Sequence, residues 1–321
     1  MSRGGISRRK FFGTSVLSVD VNSMACLPCS YWGGVIFIFQ ATEYFSRFFG
    51  IGFFMKQRIV LAGRMLEFEG EEGDYYFQNL PEFSHGAGER NLLRFAERHL
   101  HPTSTCLDIG ARIGLTTASL ALACPQGHVY AFEPSPKRAL HLRGNMTANS
   151  LSNTTVVERA LGATSAAYAA IVRDHGWQPL SVDDVRVAME TIDSWSAAVS
   201  SPIDFVNLNV GGYEAHVLAG AAETLARDRP VIFMEFNSVA IAFAARRSPL
   251  SFAETIWKLF DVFEIDEDGV SSAPDARLFV LNNMVRHGCV DDIVLDLKPD
   301  QDAETIREVL ANELEAETAA A

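Results

Sequence analysis

The segment TCLDIGARIGLTTASLALACPQGHVYAFEP, Thr105 to Pro134, decides how the rest of the chain is read. Two short apolar runs, Cys106 to Ile109 and His128 to Phe132, flank an Ala- and Leu-rich segment with helical spacing. The unit therefore reads strand, Gly-rich turn, helix, strand. Gly110 and Gly114 bracket the turn that follows Asp108, where absent side chains let a ligand approach the backbone and let the helix pack closely on the sheet. Glu133 closes the second strand, at about the distance onward where an acid takes a ribose hydroxyl pair.

The chemistry of that turn narrows the ligand. A nicotinamide-binding turn carries the tighter GxGxxG and delivers a pyrophosphate to a helix N-terminus. Here the spacing is DxGxxxG, and its leading acid repels phosphate but suits a cofactor with an ammonium and a sulfonium. S-adenosylmethionine is the better fit.

A chain of 321 residues has room for one large α/β domain with extensions. Its formal charge of −13 argues against a broad nucleic-acid footprint, which needs clustered Lys and Arg, so no nucleic-acid partner is expected. A small neutral or lipid-like acceptor is easier to accommodate. Cys26, Cys29, Cys106, Cys124 and Cys289 are odd in number, and two fall in expected core elements, which excludes a disulfide framework and fits a reducing compartment. The lone Cys26-Leu-Pro-Cys29 has neither the second pair of a zinc site nor the βαβ context of a thioredoxin. No His/Asp/Glu cluster at ligand spacing marks the strand ends, so no metal is expected.

Residues 1–54 read differently, as a hydrophobic leader with three readings open. Ser7-Arg8-Arg9-Lys10-Phe11-Phe12-Gly13 looks like a twin-arginine export signal, although Asp20 and Asn22 interrupt the apolar region behind it. Tyr31 to Phe54 is apolar but broken by Glu43 and Arg47, short of a spanning helix; it suits peripheral contact with a membrane surface through 31–54. Alternatively, translation begins near Met55. A cofactor made in the cytoplasm favours a cytoplasmic protein, with membrane association through this segment as the variant.

Residues 55–102 are expected to form a hairpin, with turn signals at Gly70 and Gly73, and a helix from Glu89 to His99 over the cofactor side. His85 and Gly86 sit in the loop before that helix. The main domain, 103–300, continues after Pro134 with a helix from Pro136 to Asn149, capped by Ser135, and a strand TTVVERAL from Thr154 to Leu161. The end of that strand makes Ala160 and Leu161 candidates for contact with adenine. An extra strand is expected at Ala167 to Arg173, and a short helix opens at Thr191-Ile192-Asp193. Strand Ile203 to Val210, helix Tyr213 to Ala226, strand Pro230 to Phe236, helix Ser251 to Leu259 and strands Phe260 to Ile265 and Val290 to Leu297 follow. Residues 301–321 form an acidic C-terminal helix or tail.

TCLDIGARIGLTTASLA, HVYAFEPSP, ERALG, the Thr191-Ile192-Asp193 step and NLNVGGYEAHVLAGAAETLARDRPVIFMEF, in this order, resemble the FkbM family of S-adenosylmethionine-dependent methyltransferases from Arg58 to Leu297. The resemblance implies the class I methyltransferase fold: an α/β, Rossmann-like, seven-stranded and mostly parallel sheet with the last strand antiparallel and helices on both faces. It also implies O-methylation of a hydroxyl on a small molecule, sugar or lipid-linked glycan. Carried over by position, Asp108, Gly110, Ala111, Arg112 and Gly114 surround the methionine part of the cofactor, and Glu133 holds the ribose. Arg112 stands where the family usually has Asn. The strand-four signature, approximately KIDVEGAE in the family, is Asn207-Leu208-Asn209-Val210-Gly211-Gly212-Tyr213-Glu214 here, with three charges gone.

The expected mechanism is in-line attack of an oxygen on the sulfonium methyl with departure of the thioether, in a pocket over the carboxyl ends of strands one and four, between Gly110 and Asn209, with Asn209, Glu214 and Glu235 as catalytic candidates and His216 nearby. Asn209 hydrogen-bonds but cannot take a proton as Asp would. The altered strand-four signature leaves an alternative open: a catalytically impaired methyltransferase fold serving as a binding or partner protein. An oxidoreductase is disfavoured by the absence of a Tyr-x-x-x-Lys pair.

Overall fold

A computed structural model describes residues 54–71, 73–85, 87–171, 185–265 and 269–320. The leader readings on residues 1–53, including Cys26, Cys29 and the apolar run, lie outside the described residues. The first element is a hairpin, β1 (Phe54–Leu61) with β2 (Arg64–Glu71). Strands β3 (Thr105–Ile109), β4 (His128–Phe132) and β5 (Thr154–Val157) open the central sheet. A small separate sheet holds β6 (Ala160–Leu161), β7 (Ala166–Ile171) and β8 (Val185–Glu190). Strands β9 (Phe205–Leu208), β10 (Val231–Asn237), β11 (Phe260–Ile265), β12 (Val270–Ser272) and β13 (Val290–Leu297) complete the central one.

The central sheet runs β12-β11-β13-β10-β9-β3-β4-β5. Strand β3 pairs in parallel with β4 and β9, and β13 lies antiparallel to both β10 and β11. This is the expected mostly parallel sheet with its last strand reversed, extended to eight strands by the short β12. Both faces are covered, so the central strands are mostly apolar and successive residues serve opposite cores. Cys106, Phe205 and Phe233 face one core with helices Ala87–His99 and Leu115–Ala123; Leu107, Val206 and Ile232 face the other with helices Pro249–Leu259 and Ala303–Ala320. Helix Ala87–His99 sits on the sheet face, with Phe95 against the rings of Phe205 and Phe233.

Three readings need correction. The hairpin turns at Ala62-Gly63, both with positive φ (47° and 71°), the conformation that matches strand twist in a two-residue turn. Gly70 lies instead inside β2, where an added Cβ would come within 2.4 Å of the Phe77 ring. The strand expected over Thr154 to Leu161 divides at Glu158-Arg159, because Ala160 and Leu161 leave β4 and pair with Met189 and Glu190 of β8. The helix expected over Tyr213 to Ala226 divides into Glu214–Ala219 and Ala222–Asp228. A Cβ on Gly220 would lie 2.0 Å from the Gly162 carbonyl oxygen, and the Gly220 carbonyl accepts from Asp193 N–H at 2.9 Å, so the break is a tertiary contact.

The hairpin is attached through two amides. Asn149 accepts from Glu67 N–H and donates to Glu67 C=O; Asn145 does the same with Glu69 and also donates to Ile113 C=O at 2.9 Å. Both belong to the C-terminal end of helix Pro136–Ala148, which Ser135 caps by accepting from Arg138 N–H. The acidic tail is integrated into the fold. Glu313 is buried against Arg247 and accepts from the Ser251 and Thr255 hydroxyls.

Candidate active site

The turn after β3 is held from beneath. Asp108 is fully buried, with Oδ1 accepting from Asn207 Nδ2 at 2.8 Å and Oδ2 from the hydroxyls of Thr116 and Thr117 at 2.9 and 2.5 Å. Burial pushes its carboxyl up, and the three hydrogen bonds oppose that. Asp108 thus ties β3 to β9 and to the helix after the turn. Gly110 and Ala111 donate their N–H groups to Phe132 C=O, each at 3.0 Å, which draws the turn over the end of β4.

Both turn glycines answer to the protein's own packing. A Cβ on Gly110 (φ 93°) would stand 1.9 Å from the Asn209 carbonyl oxygen, and one on Gly114 (φ 102°) 2.5 Å from Leu142 Cδ1. Gly110 and Asn209 are therefore in backbone contact, so a ligand in the pocket expected over these strand ends lies above that contact. Arg112, also at positive φ (51°), places its guanidinium 5.0 Å from the centre of the Tyr76 ring.

Glu133, buried at the end of β4, accepts from Arg112 N–H through Oε2 and from Ser135 N–H through Oε1, both at 2.9 Å. Burial raises its proton affinity, while Arg138, the two N–H bonds and Arg112 oppose. Each oxygen retains a lone pair for a further donor. Ala160 and Leu161 belong to the small sheet, where they pair with Met189 and Glu190, and Leu161 is buried in the core with Ile192.

A second group of carboxylates stands at the ends of β9 and β10. Glu235 accepts from Asn209 Nδ2 at 3.0 Å and Asn237 Nδ2 at 3.3 Å. Glu214, fully enclosed, accepts from Val210 and Gly212 N–H through Oε1, while Oε2 has no partner among the described residues. Burial, assisted by the charge of Glu235, pushes the Glu214 carboxyl up to about 7. The structure brings Asn209, Glu214 and Glu235 together, and the His216 ring lies tilted against that of Tyr213, with centroids 5.0 Å apart. The partners Asn237, Thr116 and Thr117 had escaped the sequence reading, because nothing in their local pattern separates a hydroxyl or amide that orients an acid from one that faces solvent.

These features fit a ligand rich in donors and positive charge: three acids, one with an enclosed unpartnered oxygen, surround the carboxyl ends of β4, β9 and β10. Among the described residues no group of three or more His, Cys, Asp or Glu is placed to hold a metal ion, and no helix is long and apolar enough to cross a membrane. Cys106, Cys124 and Cys289 are free thiols.

Among solved structures, the chain is similar to the FkbM methyltransferase of Methylobacillus flagellatus KT (14% identity, TM-score 0.38), covering 68% of this chain and 59% of that one. It is also similar to the Thermus thermophilus 16S rRNA N2 G1207 methyltransferase in complex with AdoMet and guanosine (13%, 0.40; 77% and 52% covered). A third is M. jannaschii TYW2 in complex with AdoMet (17%, 0.39; 77% and 87%). The chain thus spans little more than half the length of the first two. No curated protein matches it. The family described as the methyltransferase FkbM domain matches residues 108–268, half of the chain, from the buried Asp108 to beyond the acids of β9 and β10. With that match and the strand order of a class I S-adenosylmethionine-dependent methyltransferase, the chain belongs to the methyltransferase FkbM domain family.

Proposed function

We propose that the protein is an O-methyltransferase that uses S-adenosylmethionine to methylate a hydroxyl of a small molecule, sugar or lipid-linked glycan. The observation that carries this reading is the pair Glu235 and Glu214 at the carboxyl ends of β10 and β9, one aimed by two amides and the other enclosed with a free oxygen. S-adenosylmethionine supplies an electrophilic methyl. Glu133 takes its ribose hydroxyls through the remaining lone pairs, with Ala111 and Arg112 lining the turn beside it. Gly110, Gly114 and Asp108 hold that turn in shape.

Glu235 is the acceptor's base in this reading. Asn209 and Asn237 fix the orientation of its carboxylate, and a hydroxyl bonded to it loses its proton to Glu235 as the oxygen attacks. Glu214 lies within the field of Glu235 and holds its own proton near neutrality, which keeps the two acids from carrying full charge together. A net charge of −13 supports an acceptor other than a polyanion.

The engagement of Asn209 with Glu235 favours the second reading, a fold that binds without transferring, because the amide that replaces the family's acid is spent inside the protein. Calorimetric titration of S-adenosylmethionine, followed by a methyl-transfer screen over sugar and lipid hydroxyls, separates the two. We expect micromolar binding, weakened at least tenfold in Glu133→Ala, and transfer abolished in Glu235→Gln with binding retained. Unchanged affinity in Glu133→Ala sinks the ribose assignment; binding without transfer to any acceptor gives the second reading the lead.

A further inference from the structure

Two of the free thiols meet inside the protein. Cys106 lies on β3, and Cys124 closes helix Leu115–Ala123; they are 18 positions apart in the chain, both wholly buried, with their Sγ atoms 3.8 Å apart. A third atom sets their roles in that contact. Cys124 Sγ lies 3.0 Å from Leu120 C=O, which can only accept, so Cys124 donates to Leu120 and receives the S–H of Cys106. Cys289, which is half-buried, stands apart with its Sγ directed at Met284 C=O.

A buried thiol in apolar surroundings is ordinarily inert, because it neither ionises nor meets a reagent. Cys124 differs on both counts. The S–H of Cys106 lowers its proton affinity against the cost of burial, while the same contact and burial push Cys106 up, so the thiolate forms on Cys124. Cys124 also ends its helix, with Pro125 and Gln126 exposed directly after it. Fraying of that last turn is enough to admit a molecule as small as hydrogen peroxide.

We propose that Cys106 and Cys124 form a site of reversible oxidation, which a peroxide converts into a disulfide tying β3 to the end of the following helix. The Cys124 thiolate attacks one peroxide oxygen and the O–O bond breaks; Cys124 becomes a sulfenic acid, and the departing hydroxide takes up a proton as water. The Cys106 sulfur then attacks the Cys124 sulfur. The S–S bond forms, the S–O bond breaks, and the hydroxyl leaves as water with the Cys106 proton. Two thiols thus give two electrons to one hydrogen peroxide, and two waters result. The sulfurs close from 3.8 Å to the roughly 2.05 Å of a disulfide. The loop that the bond closes holds Asp108, Gly110, Gly114 and the Thr116 and Thr117 hydroxyls that orient Asp108, so oxidation clamps the whole turn at both ends. In a reducing compartment such a bond is transient and is reopened by thiol exchange. The proposal does not depend on the methyl-transfer reading.

The test treats the folded full chain with hydrogen peroxide, then unfolds it, blocks the remaining thiols with iodoacetamide and digests it with trypsin. Cleavage after Arg112 places Cys106 on peptide His99–Arg112 and Cys124 on peptide Ile113–Lys137. These two peptides are expected joined, lighter than their sum by two hydrogens, and separated again by dithiothreitol. The thermal midpoint of the oxidised chain should rise by roughly 5 °C and return on reduction. Cys106→Ala should leave Cys124 as a sulfenic acid that dimedone traps, with no rise in midpoint; should that variant melt early, Cys106→Ser takes its place. Recovery of both cysteines as alkylated thiols overturns the proposal, whether or not Cys289 is oxidised. So does a sulfinic acid on Cys124 beside a free Cys106, a bond from either residue to another cysteine, or a bond that forms only in urea.

Discussion

Replacing Glu214 by Gln isolates one buried proton. In the folded protein this carboxyl, ordinarily near 4.5, is pushed up to about 7 because it is wholly buried, beside Glu235, with only Oε1 hydrogen-bonded. Below pH 4.5 the folded and unfolded chains both hold the proton, and no cost arises. Between pH 4.5 and 7 the folded chain holds more protons than the unfolded one, so stability falls as pH rises; above 7 the full cost stands. At 1.36 kcal/mol for each tenfold step, that cost is roughly 3 kcal/mol. Gln preserves the oxygen that accepts from Val210 and Gly212 and leaves an unpaired donor where the protonated acid had one. The variant should match wild type within about 1 kcal/mol at pH 5 and exceed it by roughly 2–3 kcal/mol at pH 8. Urea unfolding midpoints at pH 5, 6, 7 and 8, with constant slope, measure this. Parallel pH curves for the two proteins would refute the reasoning and show that Oε2 finds a partner in solution.

Two further substitutions test the scaffold. Asn145→Ala frees the backbone of Glu69 and the carbonyl of Ile113 together, and should cost about 2–4 kcal/mol in urea unfolding, since buried peptide groups lose partners they cannot replace. Glu313→Leu removes a buried carboxylate from Arg247 and the acceptor of the Ser251 and Thr255 hydroxyls, and about 2–3 kcal/mol of stability should go with it, visible as a fall in thermal midpoint.

The strands of the central sheet were legible because burial on both faces leaves continuous apolar runs: Cys106 to Ile109, His128 to Phe132 and Pro230 to Phe236 each became a strand within a residue or two. Ser135 as a cap, and a helix opening at Thr191-Ile192-Asp193, were legible for a local reason, a hydroxyl before a helix. What could not be read depends on partners distant in sequence. Gly220 breaks a helix because the Gly162 carbonyl passes over it, and Ala160 and Leu161 desert their strand for β8. An Ala62 with positive φ has no signature, so the hairpin turn was sought at later glycines. The acids of the site were named from the family's pattern, but their orientation by Asn209 and Asn237, and the enclosure of Glu214, are properties of three dimensions alone.

The contact between Gly110 and the Asn209 carbonyl bears on how such a chain drifts over generations. Selection on folding alone retains glycine at 110, since any side chain there must displace the backbone of the neighbouring strand. A descendant that had given up catalysis would keep the glycine and look intact at its most familiar position. On the proposed reading, Glu133 and Glu235 would record activity better, because each retains lone pairs that folding does not consume.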